Sequence, residues 1–546
     1  MKKAILILLS LAMLFSLAAC GKAEPSKTPD TGKTDTSAPA DTGKKDDGKK
    51  ADDGKKDDAA PAAAAPESLS VAMAYDYGSL DTIAMTQYGF DPIVCVMEPL
   101  WDYGLDGEVK LVLAESYEWV SDDHMVVKLK PGIKFSNGNP LTASDVIFTM
   151  HLMAEAGGAY APQRVQTTDL ERSKALDDLT VDWYLKTPSV LHMSVEQQMF
   201  IYDEESYDAA KQAQAPIGTG PYVVTEYVVN SHTIVERRDD YWGELPPLKT
   251  ITFRVLKESS QQINALETGL VDCSPVALSD VDYVKSLKGV QLRPRGGNWI
   301  YLGFNISQDG KLADPIAREA ICHAIDVEAI SNLVYYGLAK PMKNPFTSAY
   351  PDHTEKMDGL GVYEKGYDLE LAKKQAEESG LVGKTITLAN NGQSQFVTIS
   401  EMIQNMLAKI GVTVEIASYD TATYSDVKND KTLFDICVSN GVAGNMCYGD
   451  QFVNAITRNK IYGIKENFAY GHGDRYWEIK DKALSEIDNA KRAAINEELM
   501  GYYVETNPTF GLLEFDSYNA FPDNIDLSNY WDRIIANYFC TDFIFN

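Results

Sequence analysis

The sequence predicts an α/β fold, and three patterns carry that expectation. Short segments alternate apolar and polar residues with a period of two, the mark of half-buried strands. Amphipathic stretches with the helical period lie between them. No repeat of about 20–50 residues runs along the chain, so a solenoid is set aside.

The strands come first. Residues 125–129 (MVVKL), 179–185 (LTVDWYL), 250–255 (TITFRV) and 412–416 (VTVEI) alternate as a pleated, half-buried chain does. One helix is headed by Thr142, with Asp145 three residues on in a capping-box arrangement. Val146, Ile147, Met150 and Met153 follow as its apolar side. A second opens at Asp314-Pro315, an N-cap followed by proline at the first helical position. Ile316, Ala320, Ile321 and Ala324 form its apolar stripe. A third covers about 396–410, with Phe396, Ile399, Ile403, Met406, Leu407 and Ile410 on one side and Gly411 as the C-cap. Residues 385–417 then read as a strand–helix–strand unit.

The chain has 546 residues, enough for three or four domains. Apolar residues make up 45% and charged residues 24%, a mix that can bury a core. Fifty Lys and Arg face 79 Asp and Glu, a net −29. A nucleic-acid binder needs a basic face to neutralise phosphates, and this balance argues against one. It argues equally against adsorption to anionic lipid through a basic surface. After residue 20 no apolar run reaches the roughly 18 residues of a membrane span, which excludes a polytopic membrane protein.

The first twenty residues read as an address. Lys2 and Lys3 precede the uncharged apolar stretch 4–19, and small residues lead to Cys20. This is the layout of a secretory signal. Leu17–Cys20, LAAC, resembles a bacterial lipobox, which implies a signal peptide over 1–19, cleavage before Cys20 and acylation of its thiol. Two or more acyl chains hold a protein stably at a membrane. The expected location is the extracytoplasmic face of the cell membrane, lipid-anchored. Residues 21–66 contain no Ile, Leu, Val, Met, Phe, Trp or Tyr, and their nine Lys nearly balance nine Asp and one Glu. Such a segment cannot offset the entropy of ordering. We expect a flexible linker reaching on the order of 40 Å. Beyond it, 67–546 carries 39 basic against 69 acidic residues. That acidity reads first as solubility, and second as a preference for cationic ligands.

Catalytic signatures are missing. There is no GxxxxGK[ST] loop, no GxSxG elbow and no HExxH. The seven histidines never fall within five residues of one another. GTG at 218–220 is followed by Pro221, which has no N–H to donate, so it reads as a structural turn. After Cys20, the six cysteines Cys95, Cys273, Cys322, Cys437, Cys447 and Cys540 form no CxxC pair. A Cys437–Cys447 disulfide and buried thiols both fit. No cofactor, no metal site and no enzymatic activity are expected.

Several segments resemble the extracytoplasmic solute-binding proteins of ABC importers, family 5, the peptide/nickel-binding type. They are residues 98–150, with LAESYEW and KLKPGIKFSNGNPLTASDV; GTGPY at 218–222 followed by Tyr241-Trp242; ITFRVLKESSQQINALETGLVD at 251–272; LGFN at 302–305; and AREAICHAIDVEAI at 317–330. The resemblance covers essentially all of 67–546. It implies a two-lobed periplasmic-binding-protein-like fold of type II. Lobe one would take 67–293 and 512–546, with an extra subdomain at 101–214. Lobe two would take 294–511. A solute, an oligopeptide above others, would be held in the cleft, closed by hinge motion, and handed unchanged to the permease and ATPase subunits by a monomer. An oligosaccharide, a nickel complex and a sensor role are the alternatives.

The resemblance also implies where the ligand sits. In peptide-binding members a GWxADY-like segment of lobe two sets an aspartate against the peptide amino terminus. The matching stretch here is 440–450, with Asn440, Gly441, Val442, Asn445, Met446 and Cys447 as candidate contacts. Val442 stands for the tryptophan and Asn445 for the aspartate. An amide holds an ammonium more weakly than a carboxylate does, so free-amine recognition is in question. Tyr88 and Phe90, after Leu80–Thr82, would line the lobe-one side. Asn391 and Trp299 complete the set. Aromatic side chains bring area at low entropic cost. Arg293 and Arg295 read as surface ion pairs rather than ligand contacts.

Overall fold

The computed structural model describes residues 66–546 apart from 85–89, 105–107, 157–160, 190–191, 194–196, 308, 429, 431, 443–472, 529, 531–537 and 539. The signal-like segment, Cys20 and the linker lie outside the described residues, as do Tyr88, Asn445, Met446 and Cys447.

The first part of the chain contributes β1 (Ser68–Met73), β2 (Ala114–Ser121), β3 (His124–Leu129), α1 (Ala143–Glu155), β4 (Lys174–Asp177), β5 (Thr180–Tyr184), β6 (Tyr222–Val228), β7 (His232–Arg237), β8 (Thr250–Val255) and β9 (Ser274–Val276). One four-stranded sheet has the order β1-β8-β7-β6 and a second β2-β3-β5-β4. In α1 the Thr142 amide and hydroxyl both donate to Asp145 Oδ2 at 2.8 Å. Val146, Met150 and Met153 are buried behind this cap.

The rest contributes β10 (Val290–Phe304), α2 (Pro315–Ala324), α3 (Val327–Val334), β11 (Lys340–Pro341), β12 (Thr385–Asn390), α4 (Ser394–Ala408), β13 (Thr413–Ser418), β14 (Ile436–Val442), α5 (Gly473–Ser485), α6 (Asn489–Thr506) and β15 (Thr509–Pro522). Their sheet has the order β9-β15-β10-β14-β12-β13, with β11 added on β15. Asp314 caps α2 through the Ile316 amide at 2.9 Å. Phe396, Ile399, Ile403, Met406, Leu407 and Ile410 are all buried. Each such side chain contributes about 1.5–3 kcal/mol on burial. Gly411 adopts φ +77°, the left-handed conformation a helix C-cap favours.

Two large cores result. One gathers residues from Leu69 to Phe253 with Cys273 and Phe521–Phe543; the other gathers Trp299 to Leu513. This is the two-lobed α/β arrangement. Arg318 ties the second core together. Its Nε donates to Asn507 O at 3.1 Å, and Nη1 to Leu312 O and Ala313 O at 2.6 and 2.9 Å; Nη2 donates to Thr506 O. Carbonyls left over at the end of α6 thereby find a donor.

The GTG turn is structural. A Cβ on Gly218 would lie 2.2 Å from Val96 O, and one on Gly220 2.7 Å from Cys95 O. The two backbones are in contact, with no room for a phosphate between them. Gly218→Ala is expected to cost about 3 kcal/mol through forced backbone displacement, read as a lower urea midpoint. An unchanged midpoint would mean that this backbone contact is dispensable.

Candidate functional site

Strands β10 and β15 pass from one core to the other. Val290 and Leu292 pack beside Ala520 in a small cluster next to the first core, whereas Ile300, Leu302 and Phe304 sit in the second. On β15, Phe510–Leu513 belong to the second core and Phe521 to the first. The ladder between the strands slips at the crossing: Arg295 pairs with Ser517, and the next pair is Asn298 with Phe515. Gly296 and Gly297 fill the slip, and Gly297 has φ +92°. A bulge with glycine bends a ladder locally.

The outer edge of β15 is divided at the same level. β9 pairs with Tyr518–Ala520, and β11 pairs with Leu513–Glu514. Phe515–Ser517 lie between them. Two cavities meet this gap. A smaller one, about 140 Å³, is lined by Gly296, Gly297, Lys340, Ser348, Glu514 and Asp516 among others. A larger one, about 590 Å³, is lined by Val276–Ser279, Leu333–Tyr336, Ser394, Gln395, Thr398 and Phe515–Ser517. The larger is within the size range of small-molecule sites, and its mix of apolar walls with a few polar groups suits one. Tyr335 is packed on Phe515, ring centroids 4.8 Å apart. Its buried hydroxyl has no hydrogen-bond partner among the described residues, and burial raises its pKa above the usual phenol range.

Glu514 and Asp516 are two residues apart on a strand, so they share a face. Glu514 accepts from Thr347 Oγ1 and the Ser348 amide at 3.2 Å and from Ser348 Oγ at 3.1 Å. These donors are neutral, and Glu514 makes no ion pair among the described residues. Lys340 is level with Glu514 on the neighbouring strand and lines the same cavity, so the crossing presents two carboxylates beside an amine.

The carboxyl ends of parallel β12 and β14 open at this junction, the usual seat of a ligand in an open α/β sheet. Ala389 is level with Cys437, so Asn391 is level with Ser439. Helix α4 starts three residues later and directs its free amide groups the same way. On the other side, Trp299 pairs with both Gly441 and Glu514, and Glu514 with Lys340. A single row thus runs Gly441–Trp299–Glu514–Lys340. The Trp299 ring covers Gly441 and meets Tyr350 edge-on at 6.1 Å.

The structure thus brings Trp299, Asn391, Asn440, Gly441 and Val442 to one region. Val442 is 55% exposed and Asn440 is exposed, whereas Trp299 is buried. Asn391 accepts from the Gln393 amide at 3.2 Å. Phe90 is elsewhere. It is fully buried, 5.3 Å from the Phe200 ring with Arg164 over its face at 5.2 Å. It offers no surface to a cleft, because an aromatic ring after a turn serves a core as well as a wall. Cys437 is buried, and its suggested partner Cys447 is outside the described residues. Arg293 donates to Tyr530 O at 2.8 Å and lies over that ring.

Glu514, Phe515, Asp516, Tyr335 and Gly296-Gly297 were not anticipated. A signal exists in TFGLLEFDSYNAF, 509–521, where two acids at period two interrupt an apolar strand. Carboxylates inside such a run require a wet or liganded face. No helix among the described residues is long and apolar enough to cross a membrane.

The chain is similar to known proteins in sequence and in fold. The family model described as bacterial extracellular solute-binding proteins, family 5 Middle, matches residues 108–462. A Brucella ovis protein named as an ABC transporter peptide-binding protein is 27% identical over 373 residues, covering 64% of this chain and 68% of that one. The nickel-binding periplasmic protein of Escherichia coli is 26% identical over 377 residues, again 64% and 68%. Among solved structures, the Brucella suis NikA complex with Fe(III)-EDTA has a TM-score of 0.76 at 20% identity, covering 88% of this chain and all of that one.

Proposed function

Since the chain belongs to family 5 of the bacterial extracellular solute-binding proteins, we propose that it captures an oligopeptide between its lobes for delivery to an ABC importer. The observation that carries the peptide reading is an open strand edge. β14 pairs with β12 only at Ile436 and Cys437, yet it continues along β10 to Val442. Tyr424 covers Val438 O at 2.6 Å. Ser439–Val442 remain, with β10 on one side and no other described strand on the second. An extended peptide can add to such an edge through its main chain, leaving its side chains to pockets. The relative named for peptide binding supports the same reading.

In this reading lobe one is 67–293 with 512–546, lobe two is 294–511, and Asn440–Val442, Asn391 and the crossing strands face the solute. Trp299 shapes the floor. Closure favours the solute only by what it touches better in the closed state. Lipidation at Cys20 would tether the monomer outside the membrane. Cys20→Ala is expected to release the protein into the medium and to abolish labelling by a fatty-acid analogue. Continued labelling would remove the lipid anchor from this reading.

Native mass spectrometry of the purified chain tests the ligand. A ladder of peptide masses is expected, and a sugar or a metal chelate would overturn the peptide assignment. Tyr335→Phe provides a residue-level check. Removing a hydroxyl without a protein partner should leave stability unchanged. If the hydroxyl serves the solute, affinity for the recovered peptides falls about five- to tenfold, about 1 kcal/mol. Unchanged affinity would place the solute away from the larger cavity.

A further inference from the structure

Lobe one contains a cavity of about 350 Å³ that is separate from the crossing strands. Its walls include Glu98, Asp102, Tyr241, Trp242, Glu244 and Asp542, and no Lys, Arg or His is among its lining residues. We propose that this cavity is a second binding site, for a small organic ammonium ion.

Glu98 is the centre of the argument. It is 8% exposed. One carboxylate oxygen accepts from Tyr241 Oη at 2.6 Å and the other from Trp242 Nε1 at 3.0 Å. Both donors are neutral, and Glu98 has no ion pair among the described residues. A buried carboxylate without a counter-charge is costly, and burial with nearby Asp102 raises its pKa. A bound cation would relieve both effects.

The rest of the lining selects the kind of cation. Trp242 and Tyr241 are in the lining, and aromatic rings of this kind attract ammonium groups electrostatically. Lys130 Nζ already sits 5.1 Å from the Trp242 ring centroid, outside the lining, so this ring does accept positive charge. Apolar Val94, Met97 and Phe200 line the same space, which suits methyl or methylene groups. A bare metal ion fits poorly. Among the described residues no three His, Cys, Asp or Glu groups come together in a metal-holding cluster. A ligand with spread charge and an apolar body answers carboxylates that are dispersed around aromatic walls.

The test uses choline, with 3,3-dimethyl-1-butanol as its neutral isostere, titrated into the full chain by calorimetry and tryptophan fluorescence. Choline should bind about tenfold or more tightly than the isostere. Trp242→Leu should weaken choline about tenfold, and exposed Glu244→Gln about threefold, with the fold intact by circular dichroism. Peptide binding at the lobe junction should be unaffected by Glu244→Gln, so this site stands or falls independently of the proposed transport role. Absence of choline binding, equal binding of the isostere, or choline binding insensitive to both substitutions overturns the proposal.

Discussion

Asp352→Ala is expected to destabilise the second lobe by about 3–5 kcal/mol, because it strands a buried cation. Arg492 and Asp352 are almost wholly inaccessible, with Nε to Oδ2 at 2.9 Å. Arg492 also donates to Glu486 O at 2.8 Å and to Asn489 Oδ1. Asn496 Nδ2 donates to Asp352 Oδ2 at 2.8 Å. The guanidinium therefore joins the chain after α5, the first turn of α6 and the Asp352 segment. Removing only the carboxylate leaves that charge with neutral partners in a poorly solvated site. Replacing both residues, Asp352→Leu with Arg492→Met, removes the desolvation cost as well. The double variant should be much closer to wild type than either single one. Urea denaturation followed by probes in each lobe reads the difference. If the double variant costs the sum of the singles, the two groups are energetically independent and the argument fails.

That pair also marks where reading the chain stops working. Helices α1, α2 and α4 were legible because their evidence is local. Thr142 with Asp145, Asp314 with Pro315, and the apolar stripe from Phe396 to Ile410 each lie within one or a few turns. Helix α6 was not legible, because it buries Arg492, Asn496 and Thr506 beside Leu499, Met500 and Tyr503. Paired polar groups on the inner face erase the amphipathic contrast. The crossing was hidden for another reason. β10 and β15 meet across more than two hundred residues, and Pro294 with Gly296-Gly297 breaks the alternation of β10 where it matters. The same separation concealed Glu514 and Asp516 as site residues. Residues 440–442 are candidates through resemblance of a segment, and Asn391 through its place after a strand. Phe90 was misplaced because ring chemistry alone does not separate a wall from a core.

Gly441→Ala should cost about 1–3 kcal/mol in stability and at least about tenfold in solute affinity. The new Cβ would lie 2.1 Å from Trp299 Cζ2, 2.3 Å from Cε2 and 2.6 Å from Cη2. Those distances are far inside van der Waals contact, so either the indole or the end of β14 must move. The indole is confined: Trp299 is 3% exposed and has Tyr350 at its edge. Moving the strand instead shifts Asn440–Val442, the open edge proposed to pair with the ligand. Both responses degrade the site, by different routes, and a second substitution separates them. Trp299→Ala alone creates a cavity and costs about 3–5 kcal/mol. Adding Gly441→Ala to it removes the clash, so the added cost should nearly vanish. Affinity of the double variant then reports Trp299 alone. If it equals wild type, the site needs Trp299 neither as a contact nor as a support for the strand end; if it stays tenfold weaker, the indole serves the site, by touching the solute or by holding the strand end in place. Full additivity of the two substitutions in stability would mean that the indole moves aside without cost, and the packing of Trp299 on Gly441 would then hold nothing in place.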